Sequence, residues 1–362
     1  MNVCLIGNSL TNLVLAKILA NKNIKVTIFY EPNRKNKFFS RTIGISKNNF
    51  DFFIDQVLDI EKISWPIKSI KVFNELSLED EILNFGFDNS KLLLIVKYNQ
   101  LFKLLNKDAS INKYIKKCKI KNKSFYDTIL INNQFNFIIN SDSENKISKE
   151  IFFKKIKKDY KSSAYTTLIQ HKECINNQAI QIFTKKGPLA FLPCSTTETS
   201  IIFSIIDRHQ TEKEIKENII INNQKYKINS FSKFEKFNLK FSTLRNYYKN
   251  NILCFGDNLH KIHPMAGQGF NMTLRDIKIF SNLIDAKLDL GLPLDSSILK
   301  DFENNTKHLN YIFSSGINFI HEFFKIDNNF ENKFSKIIFK HLGKKDYFNK
   351  IATKFADQGI IF

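Results

Sequence analysis

The sequence predicts an α/β fold, and three observations predict it. Val3 to Ile6 is a short apolar run closed by Gly7; Leu10, Leu13, Val14, Ile18 and Leu19 then recur at helical spacing; and Val26 to Tyr30 reads as a second strand. Strand, turn, helix and strand within about thirty residues is the layout of a mononucleotide-binding unit. Near the C-terminal third, the apolar run Leu253-Cys254-Phe255 delivers Gly256-Asp257. A loop with His260, His263 and Pro264 then leads to Gly267-Gln268-Gly269 and a helical stripe through Phe270, Leu274, Ile277, Phe280 and Ile284. Between these units, from Ala164 to Ile206, several runs alternate as strands do.

The chain of 362 residues is long enough for two or three domains with a substantial core, and 43% of it is hydrophobic. Phe (36 residues), Lys, Asn and Ile are abundant, whereas Gly (11), Pro (6) and Trp (1) are scarce. Because that skew runs through the whole chain, the net charge of +20 reflects general bias as much as a dedicated surface. It favours contact with anionic membranes, and no aromatic-basic motif supports nucleic-acid binding. Five scattered cysteines lack paired spacing, so no metal site and a reduced chain are expected. The start already reads as a strand rather than a signal peptide, and apolar runs such as Leu92 to Val96 are too short to span a bilayer. The expectation is a cytoplasmic protein, soluble or peripheral on the inner face of the cytoplasmic membrane.

In the first unit, a full dinucleotide fingerprint needs three glycines, for the turn, for approach of the diphosphate and for helix–strand packing. The chain offers Gly7, Ser9 and Asn12. Serine leaves the approach open, while Asn12 is expected to push the helix off the strand. Glu31 is either an acid for a ribose or a charge capping a strand end. In the second unit, Gly267 to Gly269 at a helix start offers backbone N–H groups to an anion or carbonyl, and Asp257 would reach a hydroxyl or cation. Taken alone, this stretch is equally an ordinary connection whose glycines serve tight turns. Two prolines in Gly187-Pro188-Leu189-Ala190-Phe191-Leu192-Pro193 call for an edge strand or a bulge. Residues 211 to 235 read as a lysine-rich helical insertion on the surface. In the tail, Leu309, Ile312, Phe313, Ile317, Ile320, Phe323 and Phe324 are spaced for one buried helix face. Phe334 to Leu342 would form a further amphipathic helix, for core packing or for a membrane.

Gly256-Asp257, His263-Pro264, Gly267-Gln268-Gly269-Phe270-Asn271 and Arg275-Asp276 together resemble the second flavin motif of the aromatic-ring hydroxylases, most of all the branch that hydroxylates ubiquinone precursors. The run Gly187 to Pro193 resembles that branch's Gly-Pro-x-Ala-x-Leu-Pro segment, and Arg41 to Ser46 its Arg-rich segment. The resemblance implies a Rossmann-like FAD-binding domain (1–68, 98–158 and 250–290) interleaved with a mixed β-sheet substrate domain (69–97 and 159–249). C-terminal helices (291–362) would follow. The motif around Asp142 and Asn145 is eroded, with Ser143, Lys146 and Lys149 in place of the usual glycine, serine and arginine.

By the same resemblance, Gly7, Ser9, Asn12, Glu31, Arg41, Gln100, Asp142, Gly256, Asp257, Gly267, Gln268, Gly269 and Asn271 would hold FAD. Gly187, Pro188, Ala190 and Leu192 would line the substrate, and Pro264 and His263 would stand at the reacting edge. His263 is otherwise a histidine satisfied by the backbone. Asn258 and Leu259, bulkier than usual, would narrow the flavin site. The implied reaction is hydroxylation of a polyprenylated phenol through a flavin C4a-hydroperoxide, with NAD(P)H as electron donor. Implied partners are an anionic membrane and a ubiquinone-biosynthesis complex. The eroded residues motivate a second reading, a non-catalytic lipid-binding or scaffold homologue of that complex.

Overall fold

The computed structural model describes residues 1–32, 41–75, 77–86, 91–122, 124–131, 134–206, 210–223, 225–263 and 267–329. Pro264 and the stretch Phe334 to Leu342 lie outside the described residues.

The first strand (Asn2–Ile6), first helix (Leu10–Asn21) and second strand (Lys25–Tyr30) form as the periodicity requires, and the two strands pair in parallel from Asn2 opposite Lys25 to Ile6 opposite Phe29. Parallel pairing continues outward on both sides. Phe137–Asn140 lies beside the first strand and Ile252–Cys254 beside that, while Ile115–Lys119 flanks the second strand, giving the larger part of a six-stranded sheet. Its central strands, Asn2–Ile6, Phe137–Asn140 and Ile252–Cys254, are mostly apolar and buried, as cover on both faces demands, while the edge strand Ile115–Lys119 carries three lysines. Two distant helices cover it. Phe255, at the end of strand Ile252–Cys254, packs against Phe280 of the helix Gln268–Asp289 (ring centroids 5.9 Å apart) and Phe302 of the helix Ser297–Asn329 (5.1 Å). All three rings are fully buried, each worth about 2–3 kcal/mol. The cluster fixes where the sheet delivers Gly256 and Asp257.

A nine-stranded, mostly antiparallel sheet holds the middle of the chain, and a three-stranded sheet of Thr42–Ser46, Leu93–Lys97 and Ser64–Ile67 stands apart from both. The strand Gly187–Pro193 is not an edge strand or a bulge, contrary to the sequence expectation. It lies between Gln178–Thr184 and Glu198–Ile205 in unbroken register. The prolines are tolerated because they stand second and last in the strand, while Leu189 and Phe191 fill the core between them. Within 211–235 the chain forms a helix, Glu212–Ile221, closed at its start by a Thr211–Glu214 capping box. Ile215 and Ile219 of that helix are buried against the sheet, so it is a packed element rather than a free insertion, and the strand Ile228–Phe231 follows it. The tail helix buries Phe302, Thr306, Asn310, Phe313 and Ile317, but Ile312 is exposed. The buried stripe is therefore rotated from the expected one. No helix among the described residues is long and apolar enough to cross a membrane.

Candidate functional site

The glycine turn after the first strand is closed by its own side chains. Gly7 has φ +111°, and a Cβ there would lie 3.1 Å from Ser141 Oγ and 3.2 Å from Asp142 Cβ, so only glycine fits without strain. Ser9 is the N-cap of the first helix. Its hydroxyl accepts the Asn12 N–H at 3.2 Å and lies 2.8 Å from Ser141 Oγ. A cap of this kind takes up one of the donors that an anion would otherwise meet. Asn12 does not push the helix away. Fully buried, it donates its amide to Ile6 O (2.9 Å) and Gly7 O (2.8 Å), joining helix to strand end where a glycine would have left a close packing contact. Asn12→Gly should therefore lower unfolding free energy by about 2–3 kcal/mol, the sum of two buried hydrogen bonds and a helical glycine. A chemical melt as steep and late as the unaltered protein's would contradict this.

The eroded segment has its own internal logic. Asn140 and Asn145 bond side chain to side chain (2.8 Å), Asn140 donates to Ser148 Oγ (2.9 Å), and Asn145 caps the helix Lys146–Glu150. Asn258 donates to Asn140 O (3.1 Å) and Ser148 Oγ (3.0 Å). It thus turns inward onto this network, and Leu259 is fully buried. Neither narrows the site as expected, because the amide is drawn away by buried partners. Asp142 accepts the Glu144 N–H at 2.9 Å and so shapes the loop beside Gly7. Glu31, just past the second strand, accepts from Tyr126 Oη at 2.8 Å.

Gly256 has φ +60° and a Cβ there would press on Thr11 Oγ1 at 2.7 Å, so the second motif sits directly on the first helix. The next residue, Asp257, is exposed. Burial pushes the Tyr98 hydroxyl up in pKa; the Arg41 guanidinium, 5.5 Å over its ring, opposes that, and the Asp257 carboxylate adds to it. Arg41 and Asp257, 216 positions apart in the chain, thus act on one phenol. Gln100 follows in the first turn of the helix Tyr98–Ile111 and is exposed.

Gly267 is the left-handed N-cap (φ +66°) of the helix Gln268–Asp289, and a Cβ on it would come within 4 Å of the Gly44 backbone. Asn271 makes that approach possible. Its Oδ1 accepts from Ser46 N (2.9 Å) and Asn49 Nδ2 (3.0 Å), and its Nδ2 donates to Gly44 O (2.9 Å). Asn271 supports the turn from behind, with both ends of its amide engaged and no exposed surface. Gln268 is also buried, and its Oε1 has no hydrogen-bond partner among the described residues, while Gly269 is partly open. His263 is buried with the Tyr160 ring edge-on to it at 5.2 Å. His260 bonds Asp276 at 2.6 Å in a buried pair that Asn310 completes from the tail helix, so its role is structural.

The sheet that contains the expected substrate strand is linked to this turn through the strand Thr42–Ser46. Alternation puts Pro188, Ala190 and Leu192 on the face opposite the Leu189–Phe191 core, together with Ser200 and Ile202 of the neighbouring strand. On that face Thr42 donates to Ser200 Oγ (2.9 Å) and Lys97 pairs with Glu198 (2.7 Å). The strand Thr42–Ser46 is therefore held between the sheet face and the Gly267 turn. Gly187 is structural: at φ +135° a Cβ would overlap Ser204 O at 2.1 Å. Sequence reasoning missed the supporting residues Thr42, Tyr98 and Asn140, and gave Asn258 an obstructing role in place of its supporting one. Only an amide or hydroxyl in an otherwise apolar strand end marked them.

The FAD binding domain family model matches residues 176–287, from the middle sheet through the Gly267 turn. The chain is similar to the mitochondrial ubiquinone biosynthesis monooxygenase COQ6 of Dictyostelium discoideum, 36% identical over 77 residues, 21% of this chain and 16% of that protein. It is also similar to the ubiquinone hydroxylase UbiL of Rhodospirillum rubrum, 23% identical over 157 residues, 40% of this chain and 36% of that one. These matches cover well under half the length of either relative. In fold it is similar over 99% of its length to p-nitrophenol 4-monooxygenase PnpA from Pseudomonas putida (98% of that chain, TM-score 0.76, 11% identity). PqsL from Pseudomonas aeruginosa, a probable FAD-dependent monooxygenase, gives TM-score 0.68 at 11% identity, over 97% of this chain and 99% of its own. What these similarities establish is a fold, that of the FAD-dependent monooxygenases, with an FAD binding domain model matched over part of the chain. Within that fold, the resemblance to the ubiquinone-biosynthesis hydroxylases holds in the curated relatives.

Proposed function

We propose that the protein is an FAD-dependent monooxygenase that hydroxylates the aromatic ring of a polyprenylated phenol in ubiquinone biosynthesis, with NAD(P)H as electron donor. The observation that carries the reading is the convergence of exposed Asp257, Arg41 over Tyr98, and the Gly267–Gln268 helix start against Gly44. The residues fit the cofactor. Gly7 and Gly256 seat the two turns tightly on Ser141 and Thr11, and Gln268 Oε1 is a buried acceptor without a partner among the described residues. Bound FAD would supply the redox chemistry that activates oxygen toward an electron-rich ring.

In this reading Asp257 would accept from a hydroxyl of the cofactor's ribityl chain and Glu31 from its ribose, and Gln100 and Arg41, on either side of Tyr98, would also help to hold it. Backbone N–H groups at Gln268 and Gly269 favour negative charge at a helix N-terminus. Asn12, Asp142 and Asn271 act through the turns they hold. Pro188, Ala190 and Leu192 would offer an apolar wall to the ring, which keeps water from the reacting edge; Pro264 and His263 are the residues that the resemblance assigns to that edge. We assign the cofactor to 1–68, 98–158 and 250–290, the substrate to 69–97 and 159–249, and a helical region to 291–362. Collection of a prenylated substrate implies peripheral contact with the inner face of the membrane, and a ubiquinone-biosynthesis complex is a further proposed partner.

The Ser9 cap over the first helix favours a second reading, a non-catalytic lipid-binding or scaffold homologue, since it reduces the donors left for a diphosphate. The two separate in one assay. The enzyme gives a yellow protein whose oxygen uptake with NADPH requires a phenolic precursor. A protein that stays colourless after FAD is added would leave the scaffold.

A further inference from the structure

Lys117 stands in the strand Ile115–Lys119, opposite Ile28 at the edge of the six-stranded sheet. Its ammonium donates to Asn8 Oδ1 at 3.2 Å and to Asn106 Oδ1 of the helix Tyr98–Ile111, and it lies 5.2 Å over the Tyr30 ring. Burial pulls its pKa down. Its hydrogen-bond partners, Asn8 and Asn106, are neutral, and among the described residues no carboxylate forms an ion pair with it. A partly desolvated cation without a counter-ion is unfavourable unless a ligand supplies the charge. Its position says which ligand. Asn8 follows Gly7 in the turn, Ser9 has spent itself capping the helix, and Glu31 closes the neighbouring strand.

We propose that Lys117 and Asn8 form an anion-binding corner for the phosphates of the cofactor's adenosine-diphosphate half, a point charge that makes up for the donor lost to the Ser9 cap. The proposal rests on the flavin reading above. Lysine binds phosphate as a point charge, so arginine at the same place should serve while an uncharged chain of similar length should not.

The test measures binding of FAD, ADP and riboflavin to the purified full chain by calorimetry and flavin fluorescence, for the unaltered protein, Lys117→Met and Lys117→Arg, with melting curves as folding control. Lys117→Met is expected to lose about tenfold or more in affinity for FAD and ADP, the effect of one charged hydrogen bond. Riboflavin binding should be unchanged and Lys117→Arg should retain most of the affinity. If Lys117→Met binds FAD and ADP as the unaltered protein does, the corner is wrong and the flavin reading stands. If the unaltered protein binds neither FAD nor riboflavin, the flavin reading fails, and the ADP measurement still decides the corner. Lack of ADP binding by the unaltered protein as well overturns both.

Discussion

Asp257→Ala yields a protein that purifies colourless and binds FAD about tenfold to a hundredfold more weakly, the range for one charged hydrogen bond. The argument is positional. Phe255, locked between Phe280 and Phe302, and Gly256, pressed on Thr11, leave the Asp257 carboxylate at the sheet's end with exposed surface and no core role. Because the side chain is exposed, the substitution should leave the thermal midpoint of the flavin-free protein unchanged, so loss of colour would report the site and not the fold. A variant that stays fully yellow would mean that Asp257 has been given the wrong role.

Gly187→Ala is expected to be the most damaging single methyl group in the middle sheet. It places a carbon 2.1 Å from Ser204 O in an interior strand and asks an L residue to adopt φ +135°. Overpacking and backbone strain together cost about 4 kcal/mol, a large share of a domain's stability. The contrast is Gly269→Ala. Among the described residues a Cβ there meets only Ile262, at 4.0 Å, within a helix that prefers alanine, so stability should hold or rise by up to about 1 kcal/mol. Soluble, cooperatively folded Gly187→Ala with an unaltered melt would contradict the placement of that strand. A Gly269→Ala that unfolds would contradict the open turn.

Much of the architecture was legible because backbone geometry constrains composition. Gly7, Gly256 and Gly267 all take positive φ with close neighbours, conditions that leave sequence few choices. The change from a short apolar run to helical periodicity at Gly7 marked the first parallel unit for the same reason. What escaped the sequence depended on contacts across long separations. Asn12 looked like a flaw in the fingerprint because its two carbonyl partners appear only when the strand end and helix are in place. Asn258 looked like an obstruction, yet partners more than a hundred residues earlier turn it inward. The Gly187 to Pro193 strand was misplaced to an edge because prolines argue against interior strands, and the rule gives way when they stand near the strand's ends. Lys117 carried no signal at all in a chain so rich in lysine.

The most direct measurement is oxygen-isotope incorporation. Purified protein is incubated with FAD, NADPH, a prenylated phenol and labelled molecular oxygen, and the ring product is weighed by mass spectrometry. The account predicts one labelled hydroxyl on the ring, absent when FAD is omitted and lost in Asp257→Ala. A flavin-loaded protein that oxidises NADPH yet returns the phenol unlabelled would contradict it.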